Sequence, residues 1–223
     1  MDLCGFEKDL YWYYRAWWRP DSPTLHLLPH WNWQGREGQP IEVWCYCNGQ
    51  SVELALNGRS VGSQDVLMNG HVAWTVPYEP GRLEAVARFE GGRTLRRCVN
   101  TTGPVTALRL TPDRRRIAGD GRDLAVVTVS AVDDAGQFVP TAANPVEFAL
   151  DGPARVIGVG NGDPSSHESH KAMRRSLFNG LAQVLVQSDR ATGAVTLRAV
   201  AAGLPPAECR LQLARARPTG EIP

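Results

Sequence analysis

Residues 25–40 read LHLLPHWNWQGREGQP, and the chain changes character across them. The preceding segment holds YWYYRAWW at residues 11–18, six aromatics in eight positions, whereas the sequence that follows alternates short apolar runs with Gly, Pro and Asn. Within the stretch, Leu25, Leu27 and Leu28 make an apolar start that Pro29 interrupts. Trp31 and Trp33 alternate with His30 and Asn32, so in an extended chain both indoles face one way. Gly35 and Gly38 flank Arg36 and Glu37, and Pro40 closes the run. A Trp-x-Trp with polar neighbours suits a sugar site, because indole faces stack on sugar C–H groups while His and Asn bond hydroxyls. Inter-domain packing, with each indole N–H finding a buried partner, is the favoured reading, given how much area two indoles bury. His30, Trp31, Asn32 and Trp33 are the candidate substrate-binding residues.

Working outward, the C-terminal side reads as strands. Ile41, Val43, Cys45 and Cys47 share one face, and Glu42, Trp44 and Tyr46 the other. Asn48-Gly49-Gln50 marks a turn. Val52, Leu54 and Leu56 alternate up to Asn57-Gly58, a strong hairpin signal because both residues accept positive φ. Further strands are predicted over 72–76, 83–89 and 93–99, with 101–104 as a linker. Strands recurring about every 8–12 residues predict a small β-sandwich over 25–102. A second set opens at Leu108 and Leu110. It continues through 124–132, 146–150, 154–159, 178–187 and 195–200, about seven strands in all. No cysteine lies between 98 and 209, so residues 103–213 read as an immunoglobulin-like sandwich without its disulfide. Residues 214–223 are expected to be a disordered tail.

On the N-terminal side, Leu3, Phe6, Leu10, Tyr13 or Tyr14, and Trp17 recur at helical spacing. A helix is predicted from about residue 7 until Pro20 and Pro23 stop it. It is apolar all round, so it needs burial on most sides. The edge of a β-sandwich does not offer that, and an uncovered aromatic helix would be a large apolar patch. Residues 1–24 therefore read as a segment whose packing partner lies elsewhere, or as the interface of a homo-oligomer.

The run LHLLPHWNWQGREGQPIEVWCYCNGQSVELALNG resembles the region just after the catalytic barrel in bacterial glycoside hydrolase family 2 enzymes of the β-galactosidase type. There a similar HLLPHWNW segment leads into a β-domain with a VELFLNG-like hairpin, read here as residues 52–58. The resemblance extends over residues 2–212. It makes DLCGFEKDLYWYY the counterpart of the last barrel helix, and the GVGNGDPSSHES and FNGLAQVLVQS segments counterparts of a C-terminal β-domain. The LTPDRRRIAGDGRDLAVVTVSAVDDAGQFVPTAANPVEFAL stretch also resembles bacterial Ig-like domains of the invasin kind. The resemblance implies a mainly β fold of two tandem sandwiches behind one aromatic helix. It also implies a parent that hydrolyses terminal β-glycosides with retention, and partners in the parent's barrel and, through it, carbohydrate.

Such hydrolysis needs two carboxylates about 5–5.5 Å apart. In the resembled family these are glutamates on barrel strands, one marked by an Asn-Glu pair. This chain has no Asn-Glu dipeptide, and Glu7, Glu37, Glu42, Glu53 and Glu79 match no catalytic position. No catalytic residue is assigned, and the chain alone is expected not to turn over a glycoside. The alternative class is a non-catalytic carbohydrate-binding or cell-surface adhesion module, for which an unpartnered aromatic helix has no use.

The chain has 223 residues, 43% hydrophobic and 21% charged, with a net charge of +1. That balance gives no electrostatic case for nucleic acid or an anionic membrane. The pairs and triplets at Arg96-Arg97, Arg114–Arg116 and Arg174-Arg175 read as solvated turns and edges. Five cysteines make no framework, and Cys45 and Cys47, on one face of one strand, cannot readily pair. They read as small buried hydrophobes. His167-x-x-His170 with Glu168 lacks a third ligand, and Asn161 with Asp163 fails the calcium-loop spacing. The 160–170 run is read as a solvated loop, with contact to the parent's barrel as the other role; no metal or cofactor is expected. No apolar run reaches roughly 18 residues, and MDLCGFEKD does not read as a signal peptide. A bacterial cytoplasm or periplasm both remain open.

Overall fold

The computed structural model describes residues 1–215. It is mainly β, with one α-helix, and divides into two compact units, Met1–Thr102 and the residues from Gly103 onward.

The first unit opens with α1 (Asp9–Trp18) and continues through seven strands: β1 (Leu25–Leu28), β2 (Pro40–Cys47), β3 (Ser51–Leu56), β4 (Arg59–Asp65), β5 (Val72–Pro77), β6 (Arg82–Arg88) and β7 (Thr94–Asn100). They form a three-stranded sheet in the order β1-β2-β5 and a four-stranded sheet in the order β4-β3-β6-β7. The alternation read along 41–47 holds: Ile41, Val43, Cys45 and Cys47 are all buried, and join Val52, Leu54, Leu83, Ala85 and Trp74 in one core. Asn57 and Gly58 take φ of 51° and 79° and close the β3–β4 hairpin, with Leu56 opposite Arg59. Asn57 also accepts from the Arg82 N–H at 2.8 Å and donates to Pro80 O at 3.1 Å. This clamp is why residue 81 is glycine: a Cβ there would sit 1.9 Å from Asn57 Oδ1 at a φ of +138°.

Two strands of this unit escaped the sequence pattern. β1 is four residues long and stops at Pro29, yet Leu25 and Leu27 are core residues. β4, RSVGSQD, lacks apolar alternation because it is an exposed edge whose pairing rests on the turn before it.

The second unit holds β8 (Ala107–Pro112), β9 (Arg116–Ala118), β10 (Leu124–Val132), β11 (Pro145–Asp151), β12 (Ala154–Gly160), β13 (Arg174–Ser176), β14 (Leu181–Ser188), β15 (Gly193–Val200) and β16 (Ala207–Ala214). Its sheets run β12-β14-β10-β8 and β13-β11-β15-β16-β9. The inward faces of Val127, Val129, Val184, Val186, Leu197, Leu211 and Leu213 close an all-apolar core, which replaces the missing disulfide. Nine strands exceed the seven expected. The three-residue edges β9 and β13 and the closing β16, whose pairing with β9 is parallel, lie outside the six stretches expected as strands. Ala214, assigned by sequence to a tail, ends β16, and its carbonyl accepts the Gly119 N–H at 2.8 Å. The rest of that expected tail, from residue 216, lies outside the described residues.

None of the five cysteines is in a disulfide, and Cys45, Cys47 and Cys209 are buried. Burial pushes the Cys47 thiol up to about 11, and raises those of Cys45 and Cys209 as well.

Candidate functional site

The candidate residues at 30–33 sit between β1 and β2, where the chain is not a strand; Trp31 lies in the core and Trp33 packs against it from a partly buried position. Trp31 has no exposed surface. It is in the core, edge-on to Tyr78 at 5.3 Å, with its Nε1–H donating to Glu79 O at 2.9 Å. That placement leaves Trp31 no face to offer a sugar, a correction to the sugar-site reading of this residue. Trp33 is half-buried. Its ring stacks on His30 at 4.8 Å, Arg36 lies 5.2 Å over it, and its Nε1–H donates to His30 O. Asn32 spends both ends of its carboxamide on Thr102: Nδ2 donates to Thr102 Oγ1 at 2.7 Å, and Oδ1 accepts the Thr102 N–H at 2.9 Å. Thr101 Oγ1 donates to Trp31 O at 2.6 Å. The segment read as a linker is thus tied back to the 30–33 loop.

His30 completes the knot. Its Nδ1 accepts the Asn32 N–H at 3.2 Å, which requires that nitrogen to be unprotonated. Burial lowers the imidazole pKa, against a weaker opposing pull from the Asp9 charge.

The helix presents a second, different surface. One side lies on the outer face of the β1-β2-β5 sheet. Trp12 stacks on His26 at 5.2 Å, Tyr13 meets Tyr46 edge-on at 5.4 Å, and Ala16 is fully buried. Asp9 Oδ1 lies 2.7 Å from His26 Nε2, and Tyr13 OH donates to Asn69 O at 2.8 Å. The sandwich therefore covers half of a helix that the sequence left wholly without a partner. The other side carries Leu10, Tyr14 and Trp18, one turn apart, at 56%, 42% and 74% exposure. With Met1, Tyr11 and Arg15 they line an open groove of about 670 Å³.

The 160–170 run is an inter-strand loop with Pro164, Ser165, His167, Ser169 and His170 exposed, and a buried arginine ties it down. Arg175 is buried, and its guanidinium donates to Asn161 Oδ1 at 2.7 Å and to Glu168 O at 2.9 Å. Glu168 in turn accepts from the Ser176 N–H and hydroxyl. Asn161 is buried too, and donates to Ser176 O. Reading Arg174-Arg175 as solvated fails for the second residue, whose buried guanidinium is taken up by Asn161 Oδ1 and the Glu168 carbonyl. His170 Nδ1 lies against Val159 O, and no group of three or more His, Cys, Asp or Glu residues is placed to hold a metal among the described residues.

Two glutamates of the first unit serve local ion pairs. Glu79 binds Arg59, and Glu84 binds Arg82 and Arg96. The Arg82 hydrogen bond holds the Glu84 carboxyl below its usual range. The Asp123 and Arg122 N–H groups do the same for Asp120. A glycosidase general acid needs the opposite shift.

Two disulfide-free sandwiches follow one another along the chain, led by a helix with one covered and one open face. The chain is similar to the C-terminal region of glycoside hydrolase family 2 proteins. Residues 108–210 match the model described as glycoside hydrolase family 2 C-terminal domain 5, and residues 38–96 match a domain of unknown function (DUF4982). The chain is 42% identical over 206 residues to beta-galactosidase BoGH2A of Bacteroides ovatus, covering 92% of this chain and 24% of that protein. It is 34% identical to a putative beta-glucuronidase of Formosa agariphila, covering 84% of this chain and 19% of that one. Among solved structures, a beta-glycosidase from Bacteroides vulgatus superposes with a TM-score of 0.91 at 30% identity, over 96% of this chain and 27% of its own. The chain thus spans about a quarter or less of the curated relatives it matches.

Proposed function

We propose that this chain serves a retaining family 2 glycosidase as its C-terminal accessory region, and that the open side of α1 is where it docks on the catalytic barrel. The observation that carries the reading is the row Leu10, Tyr14 and Trp18, three large apolar side chains left exposed on a helix whose opposite side is packed. A patch of this kind marks an interaction surface. The parent substrate is a terminal β-galactoside or β-glucuronide, the two activities named for the similar proteins. The 30–33 knot acts in this reading as internal bracing, supported by the burial of Trp31 and the closed Asn32–Thr102 pair.

The test is complementation. A family 2 barrel portion lacking its own C-terminal region is assayed on chromogenic galactoside and glucuronide, with and without the purified chain. Recovery of activity or of barrel stability supports the reading, provided Tyr14→Lys with Trp18→Glu abolishes it. No recovery with a monodisperse dimer in light scattering assigns the face to a second copy instead.

A further inference from the structure

The sequence contains five Asn-Gly dipeptides, at Asn48, Asn57, Asn69, Asn161 and Asn179. Asparagine is thermolabile, and an Asn-Gly step is the most exposed to cyclisation. Glycine has no Cβ to hinder its own nitrogen from reaching the preceding carboxamide carbon. Whether it does so depends on what holds the carboxamide and the glycine.

Four of the five are held. Asn48 accepts the Thr24 N–H at 2.8 Å and donates to Ser22 O. Asn57 is clamped by Arg82 N and Pro80 O. Asn161 is bound by Arg175 and Ser176. Asn179 has an exposed side chain, but its partner Gly180 is buried. The Gly180 N–H donates to Ala142 O at 2.9 Å, and Val139 O and the Phe138 ring crowd the position so closely that a Cβ would lie 2.3 Å from the former. Gly180 cannot turn its nitrogen toward the carboxamide without moving that packing.

Asn69 differs on each count. It lies in the exposed 66–71 loop between β4 and β5, beside Leu67 and Met68 at 73% and 84% exposure. Its φ is 58°, and its carboxamide makes no hydrogen bond to the described residues. The Gly70 N–H is engaged only within the loop, by Leu67 O at 3.0 Å.

We propose that Asn69 is a site of spontaneous deamidation, and that the isoaspartate product releases α1 from this loop. The Gly70 nitrogen, giving its proton to solvent base, bonds to Cγ of Asn69. The carboxamide C–N bond breaks and ammonia leaves, closing a succinimide. Water then opens the ring at one of two carbonyls. Attack at the former side-chain carbon gives an aspartate with the main chain unchanged. Attack at the former main-chain carbon gives isoaspartate: the chain now runs through Cγ and is one methylene longer. The oxygen that accepted the Tyr13 hydroxyl at 2.8 Å then belongs to a free carboxylate off the main chain. The Tyr13 tether between α1 and the loop is thereby moved, whereas the aspartate branch leaves it in place.

The experiment is to age the full chain in mildly alkaline buffer at physiological temperature and map peptides by mass spectrometry, with isoaspartyl methyltransferase labelling to separate the two products. Asn69 is expected to convert several-fold faster than the other four, and N69Q to abolish that signal. In hydrogen–deuterium exchange, α1 amides of the isoaspartyl fraction are expected to exchange faster than those of N69D, which reproduces the aspartate branch alone. Conversion led by another Asn-Gly, or equal rates at all five, overturns the site. An isoaspartyl fraction with the α1 exchange of N69D overturns the consequence for the helix.

Discussion

His30 shows how one buried ring ties a loop to the pH of its surroundings. Its Nδ1 accepts a backbone N–H, and burial lowers its pKa from the ordinary 6.5. The folded protein therefore binds fewer protons at this ring than the unfolded chain in the window just below 6.5, so its contribution to stability is whole above 6.5 and is lost as pH falls through that window. Thermal melts of the first unit are expected to fall on acidification below that point. His30→Gln is expected to flatten that slope; an unchanged slope refutes the assignment. Trp31 gives a larger, pH-independent effect. Replacing this fully buried ring by alanine is expected to cost about 3–5 kcal/mol, read by urea unfolding. In the intact parent, Trp31→Ala should leave KM unchanged, because the ring has no surface toward a ligand.

At the scale of elements, the informative structures are clamps between distant turns. Arg175 holds Asn161 and Glu168 from an edge strand, so Arg175→Leu leaves buried polar atoms without partners. A loss of about 3–5 kcal/mol is expected, with faster hydrogen exchange across 161–173. Exchange unchanged in that loop would show that the guanidinium does not order it. These clamps also mark where the sequence stopped being readable. The alternation along β2 and β3 and the Asn57-Gly58 turn were legible because period and turn chemistry are local. β4, β9 and β13 were not, because an edge strand needs no apolar face of its own. The burial of Arg175 depends on loop atoms up to fourteen positions away, which no spacing rule encodes. The Trp31/Trp33 alternation misled for the same reason: it presumes an extended chain, whereas residues 29–39 bend to seat one indole in the core.

At the scale of the whole molecule, each unit owns its core, the first built around Val43, Leu54 and Trp74 and the second around Val127, Val184 and Leu197. Residues 103–223 expressed alone are accordingly expected to fold with a cooperative transition; a non-cooperative melt would contradict a self-sufficient core. The helix was legible as an element and as an oddity, since YWYYRAWW cannot be satisfied by solvent. Which side the sandwich covers was not, because aromatics lie all round. Structure resolves it: Trp12, Tyr13 and Ala16 face the sheet, and Leu10, Tyr14 and Trp18 face outward. The most direct test of the docking role is titration calorimetry of the chain into a family 2 catalytic barrel lacking its own C-terminal region. Saturable binding that disappears with Tyr14→Lys and Trp18→Glu, in a variant that melts as the unmodified chain does, is the predicted result. No binding by the unmodified chain, or binding indifferent to those two residues, would contradict it.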